Sequence, residues 1–106
     1  MMLMLIQLIE IRSEAVDVRS RRSVGLGDFE CRDIKRSSII ERVCYQHNQR
    51  YLVVNVKGTY RQYCDVPISI YVAFMGAFSM GHYFEREIEL RSNGARYDCR
   101  TYWSGK

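Results

Sequence analysis

The chain predicts an α+β fold: a small antiparallel sheet of three to five strands with one main helix packed on one face. Three observations carry this. Leu52, Val54 and Val56 alternate with Val53 and Asn55, the period-2 pattern of a half-buried strand. Lys57-Gly58 then separates that run from a second β-branched and aromatic stretch, Thr59 to Cys64, as in a hairpin, because glycine tolerates the positive φ of such turns. Finally, Val66, Ile70, Phe74 and Phe78 recur every four residues, so one helical face can lie on the sheet.

Taken in order, the chain begins with an N-terminal extension, residues 1–27. Gln7, Glu10, Glu14 and Asp17 recur near a helical period, which suits an amphipathic helix over Leu3 to Ala15. Ile9, Ile11, Val16 and Val18 suit a strand equally well. Ser20 to Gly27 reads as a basic, glycine-punctuated loop, and Arg19, Arg21 and Arg22 form the densest positive cluster in the chain. Residues 28–106 form the domain proper. Ile39 to Gln46 is expected as the first core strand, with a hairpin turn at Gln46-His47-Asn48-Gln49. Tyr51–Val56 and Thr59–Cys64 complete an antiparallel meander. Asp65 is placed to cap the helix from roughly Val66 to Ala77, and Pro67 is tolerated in its first turn. Gly81 offers a sharp backbone turn before the aromatic pair Tyr83-Phe84. Glu85 to Arg91 suits a strand or a short helix, Ser92-Asn93-Gly94 a turn, and Tyr97 to Trp103 a last strand. The matching triplets Glu30-Cys31-Arg32 and Asp98-Cys99-Arg100 are either chance or two strands lying side by side.

Composition narrows the function classes. A hydrophobic fraction of 47% and an aromatic fraction of 12% are those of a packed globule. The net charge is +4, with 16 basic residues of which all but three are arginine. Arginine pairs bidentately with phosphate or carboxylate, so the bias suits an anionic partner, or internal pairing with the 12 acidic residues. The start of the chain, MMLMLIQLIEIRSE, is broken by Gln7 and Glu10 and lacks a basic leader, which predicts a cytoplasmic protein without membrane attachment. Disulfides would not persist there. Cys31, Cys44, Cys64 and Cys99 are therefore expected as small buried groups, and their spacing lacks the close pairs of a structural zinc site.

The order of several short pieces resembles the KTSC domain family. They are Ser37-Ser38-Ile39, Arg42-Val43-Cys44-Tyr45, Lys57-Gly58-Thr59-Tyr60, Tyr63-Cys64 with Val66-Pro67, and Ser79-Met80-Gly81 followed by Tyr83-Phe84. The flanks Glu30-Cys31-Arg32-Asp33 and Asp98-Cys99-Arg100 extend the likeness to about residues 28 to 102. The family's central tyrosine-x-tyrosine aligns on positions 61 and 63, where this chain has Arg61 and Tyr63, with Tyr60 one step earlier. After the aromatic pair, Glu85 replaces the family's usual asparagine. The resemblance implies a small bacterial or phage domain, also found at the C-terminus of some lysyl-tRNA synthetases, and hence an RNA-binding role.

No catalytic constellation emerges. His47 falls in a turn and His82 beside a glycine corner, and the alternation of Glu85, Glu87 and Glu89 with Arg86 and Arg91 suits an ion-paired surface. The expectation is a non-catalytic module without cofactor or metal, binding nucleic acid through arginines and tyrosines of the sheet. Its candidate residues are Arg61, Tyr63, Tyr60, Arg42, Arg50, Arg21, Arg22 and His82. Alternation puts Arg61 and Tyr63 on one face and Tyr60 and Gln62 on the other. Tyr63 and Arg61 then form a stacking and phosphate pair, or Tyr63 packs beneath the helix. The alternative functions are a phage or mobile-element protein that blocks a host defence complex, and a small-nucleotide binder. Self-association into a homodimer through a strand edge or the apolar residues Met1–Ile11 is also expected.

Overall fold

The computed structural model describes residues 14–18, 22–89, 97 and 99. Strands β1 (Ala15–Val18), β2 (Arg22–Gly25), β3 (Glu30–Asp33), β4 (Ile40–Gln46), β5 (Tyr51–Val56) and β6 (Thr59–Tyr63) precede helix α1 (Ile68–Gly76). The short helix α2 (Met80–Tyr83) follows and runs into a π-helical turn, Phe84–Glu89. The α+β class is as expected, but the sheet is larger than three to five strands and is mixed. Among the described residues it has six strands in the order β2-β1-β6-β5-β4-β3. The additional strands come largely from the N-terminal segment: β1 and β2 form an antiparallel hairpin, and β1 joins β6 in parallel through Val18 and Tyr60. The stretch expected as a basic loop is thus partly strand β2.

The central meander follows the sequence closely. Lys57 and Gly58 both adopt positive φ (48° and 91°), the primed turn that matches the twist of its strands. Asn55 Oδ1 accepts the Gly58 N–H at 2.8 Å and closes that turn. Alternation sends Val43, Tyr45, Leu52, Val54 and Tyr63 towards the helices, where they pack with Val66, Tyr71, Phe74, Met80, Phe84, Ile88 and Tyr97. The Tyr45 and Tyr71 rings stack at 4.3 Å, and the Tyr45 hydroxyl donates to the Val66 carbonyl at 2.6 Å. Val53 points the other way and is nonetheless fully buried. It forms a second, smaller cluster with Leu26 and Cys44, bordered by Val16, Val24, Phe29, Cys31 and Tyr60. The N-terminal hairpin supplies this cover.

Several helix expectations change. Asp65 does not cap α1: it sits at φ 55°, and Pro67 is the N-cap, without a side-chain cap bond. Phe78 lies beyond the helix and is fully exposed (101%), while Tyr71 takes the buried place on the helical face. The other end of α1 is closed from a distance, with Arg36 donating to the carbonyls of Met75 (2.8 Å) and Ala77 (3.0 Å). Cationic groups are favourable at such a terminus. Gly81 is not a chain reversal. It lies within α2, where an added Cβ would come to 3.0 Å from Ile39 Cδ1, so close packing selects the glycine. Of the two alternatives for Glu85 to Arg91, the described part is helical.

The cysteines are not free buried groups. Cys31 is bonded to Cys44 across the β3–β4 pair, and Cys64 to Cys99. Of the two similar triplets, the first is strand β3, while the described residue of the second, Cys99, is in helical backbone and bonded to Cys64, so no strand pairing between them is seen among the described residues. Tyr97 lies in a turn and Cys99 in helical backbone, against the expected final strand. Residues 92–94 and the remainder of that run lie outside the described residues. No helix among the described residues is long and apolar enough to cross a membrane.

Candidate nucleic-acid interface

The predicted residues divide between the two faces of the sheet. Arg61 and Tyr63 lie on the helix-covered face. Tyr63 is 6% exposed, packs edge-on against Phe84 at 5.8 Å and donates its hydroxyl to Glu89. Burial, reinforced by the neighbouring Glu89 carboxylate, pushes that hydroxyl well above the usual phenol range. Arg61 bonds the same carboxylate at 3.4 Å and sits 6.0 Å from the Phe84 ring centroid. A stacking and phosphate pair is therefore excluded here: the tyrosine face is covered and the arginine already has an anion. Packing beneath the helical layer, the other alternative, is what the structure adopts.

Arg42 and Tyr60 lie on the opposite face, in contact. Arg42 grips both oxygens of Glu14 (2.8 and 2.9 Å), reaches the Tyr60 hydroxyl at 3.2 Å and approaches Asp33 at 3.5 Å. Its hydrogen bonds, first to Glu14 and then to Tyr60, raise its already high pKa. The same Arg42 bond lowers that of Glu14. Arg42 thus clamps the start of β1, and it is committed to an internal partner. Arg50 is exposed in the β4–β5 turn, 3.9 Å from Asp65. His82 is exposed on α2, far along the chain from the meander, its backbone N–H bonded to Ser79 Oγ. Arg21 and the side chain of Arg22 lie outside the described residues. His47 bonds Glu30 at 3.0 Å, and Arg32 bonds the other oxygen of that carboxylate at 2.8 Å. Much of the arginine excess is thus matched internally.

One concavity opens on the face away from the helices. It measures about 270 Å³ and is lined by Ser23, Val24 and Gly25 of β2, Phe29, Gln46 of β4, Tyr51 of β5 and Gln62 of β6. The N-terminal hairpin forms one wall, the meander the floor, and Phe29 contributes a second ring besides Tyr51. None of these described lining residues is charged. In sequence, Arg19, Arg21 and Arg22 lie just before the lining residue Ser23, with the backbone of Arg22 in β2. Alternation alone places Gln62 and Tyr60 on one face; the rest of the groove depends on where β2 docks, which no local pattern in the chain gives.

The fold is thus a small α+β domain whose sheet carries helices on one face and a groove of aromatic and amide side chains on the other. Residues 36–91 match the KTSC domain family, and the chain belongs to that family. A KTSC domain protein from Yersinia pestis, known from its crystal structure, is 26% identical over 59% of this chain and 89% of its own, with a TM-score of 0.55. No curated protein matches the chain. Within the groove, Gln46, Tyr51 and Gln62 fall inside the family match, whereas Ser23, Val24, Gly25 and Phe29 precede it.

Proposed function

We propose that the protein is a non-catalytic module that binds single-stranded RNA in the groove between β2 and the meander. The reading is supported by an aromatic and amide groove, with two rings and two amides among its described lining residues, next in sequence to the cluster Arg19, Arg21 and Arg22. Bases splayed from a single strand stack on aromatic side chains and hydrogen-bond through their edges, while arginines follow the phosphates. A non-catalytic role is supported by the bonding of all four cysteines as disulfides, which leaves no thiol nucleophile in this state.

Binding of mixed single-stranded RNA, followed by fluorescence anisotropy at about 50 and about 200 mM salt, tests the reading. Three phosphate contacts would weaken binding about twentyfold between those conditions. Tyr51→Ala should lower affinity at both, by about five- to a hundredfold for a lost stack. Absence of binding at low salt would end the proposal.

A second reading has its own observation. Ile68 (52%), Val72 (59%) and Phe78 (101%) are exposed on the far side of the helical layer. Exposed apolar surface of this kind favours a protein partner, such as a host complex or a second copy. Salt-insensitive association lost in Phe78→Ser would favour it.

A further inference from the structure

The groove adjoins a late part of the chain that is tied to it covalently. Gln62 lines the groove from β6, and the Sγ of Cys99 lies 3.6 Å from the Gln62 carbonyl oxygen. Cys99 is held there by its bond to Cys64, with the two Cα atoms 5.0 Å apart. The Cys64 N–H donates to the Tyr97 carbonyl at 3.0 Å and joins the same two stretches a second time. Residues 100–106, which follow Cys99 in sequence, lie outside the described residues. Their starting point is nonetheless fixed by the bond. The four steps from Cys99 to Trp103 span at most about 14 Å even in fully extended chain, so Trp103 starts within reach of the groove.

The chemistry of this run matches the ligand proposed for the groove. Tyr102 and Trp103 are aromatic, Arg100 and Lys106 are cationic, and no acidic residue lies among them. Bases stack on such rings while an adjacent arginine follows the phosphates. The described lining supplies rings but no charge. We propose that residues 100–106 extend the RNA site at its Gln62 side, with Trp103 as a stacking ring in addition to Phe29 and Tyr51, and Arg100 as a phosphate contact. This rests on the RNA-binding reading above. The Cys64–Cys99 bond then does more than stabilise the fold: it keeps the run beside the groove, at high effective concentration for a strand already bound there.

Trp103 is the one tryptophan of the chain, so its emission reports on this ring alone. Titrating the oxidised full chain with a uridine decamer should quench that emission along the same curve as the anisotropy of a labelled decamer. Trp103→Ala should weaken binding by about five- to a hundredfold, the loss of one stack, and Trp103→Phe should restore most of it. Arg100→Ala should reduce the slope of log affinity against log salt by about 0.7, the share of one phosphate contact. Binding with unchanged tryptophan emission, or with full affinity in Trp103→Ala, overturns the inference and leaves RNA binding in the groove in place. Failure of the wild type to bind the decamer removes the RNA reading itself, and this extension with it.

Discussion

Tyr63 and Arg61 converge on one carboxylate, Glu89, at the seam between sheet and helical layer. A tyrosine hydroxyl whose pKa is raised by burial and by an adjacent carboxylate stays protonated and donates across the accessible pH range. Its role is therefore to tie the π-helical turn to β6. Tyr63→Phe keeps the ring against Phe84 and removes only this bond. Because Glu89 is itself partly exposed, water can replace the donor, and the expected cost is about 1 kcal/mol in a urea melt. RNA affinity should not change, since the residue lies on the face opposite the groove. A loss of affinity in Tyr63→Phe, with the fold intact, would return the interface to the helix-covered side.

At the level of elements, the N-terminal hairpin has the fewest attachments. β1 meets β6 at the single pair Val18 and Tyr60, and its entry is held by Glu14 on Arg42. Glu14→Gln should loosen β1 and β2 selectively, lowering amide-exchange protection over residues 15–25 while β4 and β5 stay protected. The carboxylate is half exposed, so the cost should stay below about 1 kcal/mol. Acid should act in the same direction. The folded pKa of Glu14 is depressed from 4.5, so its contribution is complete above that value and is lost as pH falls through the lowered one. If hairpin and meander lose protection together, the clamp is not local. The contrast between these elements also explains what the chain discloses of its fold. β4, β5, β6 and α1 are legible because each carries its own period and its own turn chemistry, down to Lys57-Gly58. β1 and β2 are four residues each and take their meaning from a distant partner, so Glu14 and Asp17 fit a helical period while Val16 and Val18 suit a strand. The site inherits this division. Tyr60 and Gln62 are assigned to their face by alternation, but the groove needs β2 as a wall and Phe29 as an end.

For the whole molecule, the decisive constraint is the pair of disulfides, to which spacings of 13 and 35 residues give no clue in advance. Cys64–Cys99 encloses the entire helical layer, and next to it the Cys64 N–H donates to the Tyr97 carbonyl at 3.0 Å. Tyr97 completes the main core, so this bond holds a late piece of chain over the helices. Cys31–Cys44 instead ties edge strand β3 to β4 beneath the smaller cluster that Phe29 borders. On a chain-entropy basis the longer loop contributes about 4 kcal/mol and the shorter about 3 kcal/mol. Stability of a domain this size shifts by roughly 4–8 °C per kcal/mol, so losing either bond should lower Tm by more than about 10 °C. Melts of oxidised and fully reduced protein, with a Cys64→Ser/Cys99→Ser variant beside them, measure this directly. The variant should lose stability, and because Cys99 Sγ lies 3.6 Å from the carbonyl of the groove residue Gln62, its RNA binding should weaken too. Reduction of Cys31–Cys44 should weaken binding as well, by loosening the end of the groove formed by Phe29. Should oxidised and reduced melts superimpose, the cysteines would be acting as the small buried side chains their spacing suggests. The groove would then be held by packing of Leu26, Val53 and Phe29 alone.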